Sequence, residues 1–176
     1  MITDPIPEMK HALLALIAMS FVSCAGYGLG GAKPPSLTNV KSVAVPMFTN
    51  ATLEPRAEAL ATSAVAAAFV QDGTYKLSSR SSADAVLEGE LQGISYSTLR
   101  SSRLDSLLAE ELTNEVRIDW VLRDAKDATK VLASGSSQGQ SSFFVDSNLQ
   151  TARRNALPDA FERAARNLVS RLASGY

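Results

Sequence analysis

The amino-acid sequence predicts an α+β domain, a mostly antiparallel or mixed sheet of four to five strands with two helices packed on one face, in the order β-α-β-β-β-β-α. Three observations lead there. Two segments, Ala85 to Tyr96 and Glu115 to Arg123, alternate apolar and polar residues, the mark of antiparallel strands with one wet face. Two others, one following Pro55 and one ending near Ala173, carry apolar residues at spacings of three and four, the period of a helix. Finally, 176 residues with 45% hydrophobic and 20% charged side chains fit one core with a short appendage, since a single core is comfortable at roughly 100 to 200 residues.

The domain is expected over residues 40–174. Its first strand is predicted from Val40 to Phe48, with Val43, Val45 and Met47 on one face. Pro46 lacks an N–H, which assigns this strand to a sheet edge or its proline to a bulge. A turn over Thr49 to Thr52 leads to Pro55, a residue suited to the first turn of a helix. That helix should run to about Gln71 on a stripe of Ala57, Leu60, Ala61, Ala64, Val65, Ala68 and Phe69, with Asp72-Gly73 as its stop. Residues 74–79 form a short second strand. In the third, Ala85, Leu87, Gly89, Leu91 and Gly93 face the core while Glu88, Glu90 and Gln92 face water.

Residues 97–112 carry Arg100, Arg103, Asp105, Glu110 and Glu111 without a period of two, and read as a long hairpin connection. In the following strand Val116, Ile118, Trp120 and Leu122 point inward and Glu115, Arg117, Asp119 and Arg123 outward. A charged turn from Arg123 to Thr129 returns the chain into a partner strand that begins at Lys130 and continues through a Ser/Gly/Gln stretch towards Val145. The last helix covers about Leu149 to Ala173 on a stripe of Leu157, Phe161, Ala164, Ala165, Leu168 and Leu172. Arg163, Arg166 and Arg171 lie beside or opposite that stripe, and Pro158 either starts the helix proper or kinks it.

Composition excludes several functions. With 17 basic and 18 acidic residues the net charge is −1, which supplies no excess for counterion release, so nucleic acid is not an expected partner. The single Cys cannot close an internal disulfide. Together with a single His it leaves no Cys/His zinc site and no triad or dyad built on His, and no cofactor is expected. Glu88 and Glu90 share a strand face in the manner of a hydrolytic carboxylate pair, but Arg117, Asp119 and Arg123 on the neighbouring strand make exposed cross-strand pairs the simpler reading. The chain is therefore expected not to be an enzyme. Arg117 and Arg123 on the strand face, and Arg153 and Arg154 at the start of the last helix, are the candidate contacts for a partner or an anionic lipid.

The N-terminus decides the compartment. Residues 12–22 form an uncharged, mainly apolar run after Lys10 and His11; it is shorter than the roughly 20 residues that span a bilayer and matches the core of a secretory signal. It ends in Phe21-Val22-Ser23-Cys24, which resembles the lipobox of bacterial lipoproteins, with Phe21 where Leu is usual. Residues 1–23 are accordingly expected to be a signal peptide, with translation starting at Met9 because Asp4 and Glu8 are acidic where a signal wants positive charge. Cys24 would carry the lipid. Several acyl chains, at about 0.8 kcal/mol for each buried CH2, hold a protein on a membrane without a spanning helix. Residues 25–39, with four Gly and Pro34-Pro35, read as a flexible tether. Gly26-Tyr27-Gly28-Leu29-Gly30 lacks the strand and helix that a phosphate-binding loop requires.

Five stretches taken together, Cys24-Ala-Gly-Tyr-Gly-Leu-Gly-Gly, Val43-Ala-Val-Pro-Met-Phe-Thr-Asn50, Leu53-Glu-Pro, Ala83-Asp-Ala-Val-Leu-Glu-Gly-Glu90 and Leu122-Arg-Asp-Ala-Lys126, resemble the LPS-assembly lipoprotein family, LptE. Two departures stand out: Ala25 is inserted before Gly-Tyr, and Asp127-Ala128-Thr129 replaces a common Thr-Gly turn. The resemblance implies a lipoprotein of the outer membrane that sits inside a large β-barrel translocon, an LptD-like protein. There it would assist barrel assembly, plug the lumen and contact lipopolysaccharide. In the lipoprotein sorting rule Ala25, not being Asp, favours the outer membrane. The alternative is an outer-membrane-anchored periplasmic regulator of peptidoglycan synthases, whose domains use a similar strand, Ala-rich helix and Ala-Asp-Ala-Val-Leu strand.

Overall fold

The computed structural model describes residues 33–101, 109–145 and 148–175. The expected signal over 1–23, the Met9 start, Cys24, most of the expected tether and residues 102–108 of the expected connection lie outside them. The elements are β1 (Ser42–Ala44), β2 (Thr49–Asn50), α1 (Ala57–Asp72), β3 (Lys76–Leu77), β4 (Ala85–Ser101), β5 (Ala109–Asp124), β6 (Val131–Phe144) and α2 (Leu149–Ser174). They form one mixed six-stranded sheet in the order β3-β1-β4-β5-β6, with β2 also paired to β4. β1 runs parallel to β3 and β4, β2 runs parallel to β4, and β4, β5 and β6 are an antiparallel meander. The fold class agrees with the sequence reading.

The helices form from their apolar stripes. On α1, Ala57, Ala61, Val65, Ala68 and Phe69 are buried, and on α2 so are Leu157, Phe161, Ala164, Ala165, Leu168 and Leu172. They meet Leu87 and Leu91 of β4 and Val116, Ile118, Trp120 and Leu122 of β5 in one core. The alanines and glycines bring helix and sheet together: a Cβ on Gly139 of β6 would run into the Ala160 carbonyl and the Ala164 backbone. Gly73 stops α1 in the left-handed region, φ 73°, where its N–H donates to the Phe69 carbonyl, 3.0 Å.

Several local expectations are corrected. The strand expected over Val40 to Phe48 is two pieces, because residues 45–48 leave the ladder around Pro46. β1 is interior, between β3 and β4, so the proline is neither on an edge strand nor inside a paired stretch. Met47 is 64% exposed and Phe48 turns inward instead, over Gly89, where a Cβ would lie 2.6 Å from its ring. Thr49-Asn50, expected in a turn, pairs with Glu90-Leu91. Pro55 precedes α1, and Arg56 takes the N-cap position at φ 64°. Leu60 is exposed.

In β4 the alternation changes phase at an irregularity between Leu91 and Gly93, so Ile94 joins the core where Gly93 was expected. The connection expected over 97–112 is largely strand: Thr98 pairs with Leu112 and Arg100 with Glu111, around two further irregularities that hide the period of two. α2 begins nine residues before Pro158, at a cap where the Asn148 carboxamide oxygen accepts from the Thr151 N–H, 3.1 Å, so the proline does not start it. The described end of the expected tether is docked. Leu37, in a short turn of 3-10 helix over Pro35–Leu37, and Val40 are buried, and Lys33 Nζ donates to the Val40 carbonyl, 3.0 Å, above the Tyr75 ring.

Candidate interaction surfaces

Both helices cover one face of the sheet, which leaves the other to solvent. Glu88 on β4 receives Arg123 of β5 at 3.1 Å and Arg80 at 3.6 Å, Arg117 meets Asp119 at 3.2 Å along β5, and Gln140 of β6 donates to Glu115 at 2.6 Å. Asp119 is held below the ordinary carboxyl range first by the Ser136 hydroxyl and then by Arg117. The Glu90 carboxylate takes the Gln92 amide, 2.8 Å. Glu88 is thus paired across strands with Arg123 and also with Arg80, and Glu90 is bonded along its own strand by Gln92, so each carboxylate has neighbours of its own.

A second surface follows the outer edge of β6. An open groove runs between the solvent-facing side chains of β5 and β6 and the outward ridge of α2. Arg117 lines it on one side and Arg163, Arg166 and Arg171 on the other. Asn167 Nδ2 donates to the Gln138 carbonyl, 2.8 Å, and Arg171 Nη1 to the Ser136 carbonyl, 2.9 Å.

The four arginines singled out from sequence do not converge. Arg117 and Arg123 lie on the open face, six positions apart on one strand. Arg153 and Arg154 belong to the helical layer. The Arg153 guanidinium lies 4.4 Å from the Tyr96 ring centre and its carbonyl accepts from Asn114 Nδ2, 3.3 Å, whereas Arg154 is exposed. Asn114 is fully buried, in a polar row with Tyr96 and Ser141 on its two neighbouring strands. Burial raises the Tyr96 phenol above its usual range; Glu54 raises it further and Arg153 opposes the shift.

Sequence reasoning missed a third feature, the loop after β2. Asn50 organises it: its amide donates to the Glu54 carbonyl, 2.9 Å, and to Glu58 Oε2, 2.8 Å, while its oxygen accepts from Thr52 N, 2.9 Å, and Thr52 Oγ1, 2.7 Å. The loop so held presents Leu53 fully to solvent. The available signal was Asn50 two residues before Thr52, the spacing at which an Asn side chain mimics a backbone turn.

Among the described residues no cluster of His, Cys, Asp and Glu is placed to hold a metal, and no helix is long and apolar enough to cross a membrane. The domain is thus a helix-backed sheet that leaves a wet, charge-paired face and a basic groove at its edge open to solvent. The chain belongs to the LptE family of lipopolysaccharide assembly, whose model matches residues 40–172. No curated protein matches. Among solved structures, a PelC dodecamer from Paraburkholderia phytofirmans is similar at TM-score 0.50 and 18% identity, covering 82% of this chain and 95% of that one. XCC0632 from Xanthomonas campestris reaches TM-score 0.50 at 15% identity, covering 80% and 88%. CT253 from Chlamydia trachomatis reaches 0.50 at 9%, covering 75% and 95%. At such identities the likeness is one of fold.

Proposed function

We propose that this protein is a lipid-anchored component of the outer membrane that assists assembly of the β-barrel lipopolysaccharide translocon, plugs its lumen and takes part in lipopolysaccharide insertion at the cell surface, without catalysing a reaction. The family match over residues 40–172 carries the reading. The open face supports it, because the interior of a wide barrel is polar and accommodates a surface of paired charges. The anchor would be Cys24. From there to Lys33, where the chain is docked on the domain, nine residues reach at most about 30 Å, which would keep the domain close to the membrane.

Affinity purification from solubilised outer membranes tests the role. A large β-barrel, the LptD-like partner, should co-purify with lipopolysaccharide. Recovery of a penicillin-binding protein without a barrel would overturn the proposal in favour of a tethered regulator of peptidoglycan synthesis. For the anchor, Cys24→Ala should accumulate as an uncleaved or mislocalised precursor, and normal fractionation of that variant with the outer membrane would refute lipidation.

A further inference from the structure

β6 closes the sheet on one side; the short 3-10 turn over Pro35–Leu37 packs near it, and among the described residues no strand pairs with its outer edge. From Val131 to Phe144 it contains no charged residue and no proline, and its pairing with β5 runs in regular register from Ala133 to Phe144. Natural sheets blunt a long, regular edge with lysine, proline, a bulge or a covering element, because a row of unpaired N–H and C=O groups is a template for another strand. Here the cover is supplied by two side chains. Asn167 and Arg171 donate to the carbonyls of Gln138 and Ser136, which therefore point away from β5. In an antiparallel strand the N–H of a residue points the same way as its C=O, so the N–H groups of Ser136 and Gln138 face outward as well. The two side chains stand where the donors of a neighbouring strand would stand.

The surroundings specify the charge of that strand. Arg117, Arg163, Arg166 and Arg171 line the groove and no carboxylate does. Arg166 is paired with Glu162 on its own helix, 3.2 Å, whereas Arg163 and Arg171 make no ion pair among the described residues. A second copy of this chain is the wrong occupant, because pairing β6 with itself would bring two arginine ridges together without an acid between them. An anionic membrane surface would satisfy the arginines but has no use for the backbone edge.

We infer that β6 is a docking edge for an extended acidic segment of a partner protein. The segment adds a strand outside β6, takes over the Ser136 and Gln138 carbonyls from Arg171 and Asn167, and sets its carboxylates against Arg163 and the freed Arg171. This holds whatever complex the lipoprotein serves, so the barrel purification and the test below fail independently.

The test is a titration of the full chain in detergent with a peptide of about ten residues, Glu alternating with Thr and Val, the length of an ordinary strand. Two further versions are N-methylated at alternate residues in the two possible phases. The unmodified peptide should bind, one methylated phase should lose at least about tenfold, as expected for lost backbone hydrogen bonds, and the other should bind nearly as well. Amide exchange at Gln138 should slow in the complex. Joint replacement Arg163→Glu and Arg171→Glu should weaken binding by a similar factor, with an unchanged melting temperature showing that the fold is kept. Equal affinity, or equal loss, for both methylated phases would overturn backbone pairing. So would the absence of binding by the unmodified peptide, or its displacement by phosphatidylglycerol mixed into the detergent micelles, which would make the groove a headgroup site.

Discussion

Along β5 the side chains of Val116, Ile118, Trp120 and Leu122 are between 0% and 4% exposed, while Arg117, Asp119 and Arg123 at the intervening positions remain in contact with water. One strand therefore reports on both faces of the sheet. The helix-covered face is held by shape: Gly89 lies beneath Phe48, Gly135 beneath the Trp120 indole and Gly139 beneath α2, and the indole N–H finds Ser137 Oγ at 3.1 Å. The open face is held by side-chain pairs in water, each contributing about 1 kcal/mol or less. Of the two faces, only the open one is free to rearrange. Open-face charges can re-pair at little cost in stability, whereas the other face cannot change shape without losing its core.

Five substitution experiments test that contrast. The largest effect is expected for Phe161→Ala, which empties a fully buried site between helix and sheet and should cost about 3–5 kcal/mol in chemical denaturation. Gly139→Val should follow at about 1–3 kcal/mol or more, because its new side chain meets helix backbone that cannot turn aside. Gly93→Ala is its control: a Cβ there meets nothing within 4 Å, and the substitution should be neutral or slightly stabilising.

A smaller effect depends on pH. Asp84 accepts from Lys41 N, 3.0 Å, from Ser42 N, 2.9 Å, and from Ser42 Oγ, 2.9 Å, binding β1 to the start of β4. The Lys41 N–H first, then the Ser42 hydroxyl and N–H, hold its carboxyl below the usual range. Asp119 is lowered as described above. Because these folded-state values lie below the unfolded ones, near 3.9 for Asp, their contribution is complete above that pH and is lost as pH falls through the folded values. Melting temperature should thus be flat between about pH 5 and 10 and drop in the acid range. Asp84→Asn should lower it at neutral pH and flatten the acid limb; an unchanged acid limb would remove Asp84 from this account. Tyr75 gives the opposite sign. Burial, and then Asp72, push its phenol up to about 12, so its contribution is complete below pH 10 and is lost as pH rises through that value. The smallest effect belongs to Arg117→Ala with Arg123→Ala, which should change stability by less than about 1 kcal/mol each. A loss of several kcal/mol would show that the open face is not open.

Much of the helical layer was legible because its signal is local. The period of α1 and the Asp72-Gly73 stop stand in consecutive residues, as do the inward positions of β5. Where the ladder is irregular the local pattern no longer marks the buried side chains. One irregularity between Leu91 and Gly93 reverses the phase of β4, and a pattern of two cannot anticipate it. The candidate arginines were legible as exposed charges but not as members of a site. Arg163, Arg166 and Arg171 look like a solvated helix face until β6 is known to be the edge strand beside them.

The α+β class, the inward stripe of each helix and the inward positions of β5 are local properties of the chain, because each is a periodicity expressed without reference to distant partners. Tertiary structure alone decided that β1 is interior, that β6 is an edge, and that its carbonyls at Ser136 and Gln138 are covered by α2. Strand order is set by which long-range pairings bury the most surface for the least loop entropy, a competition among distant segments that no local window contains.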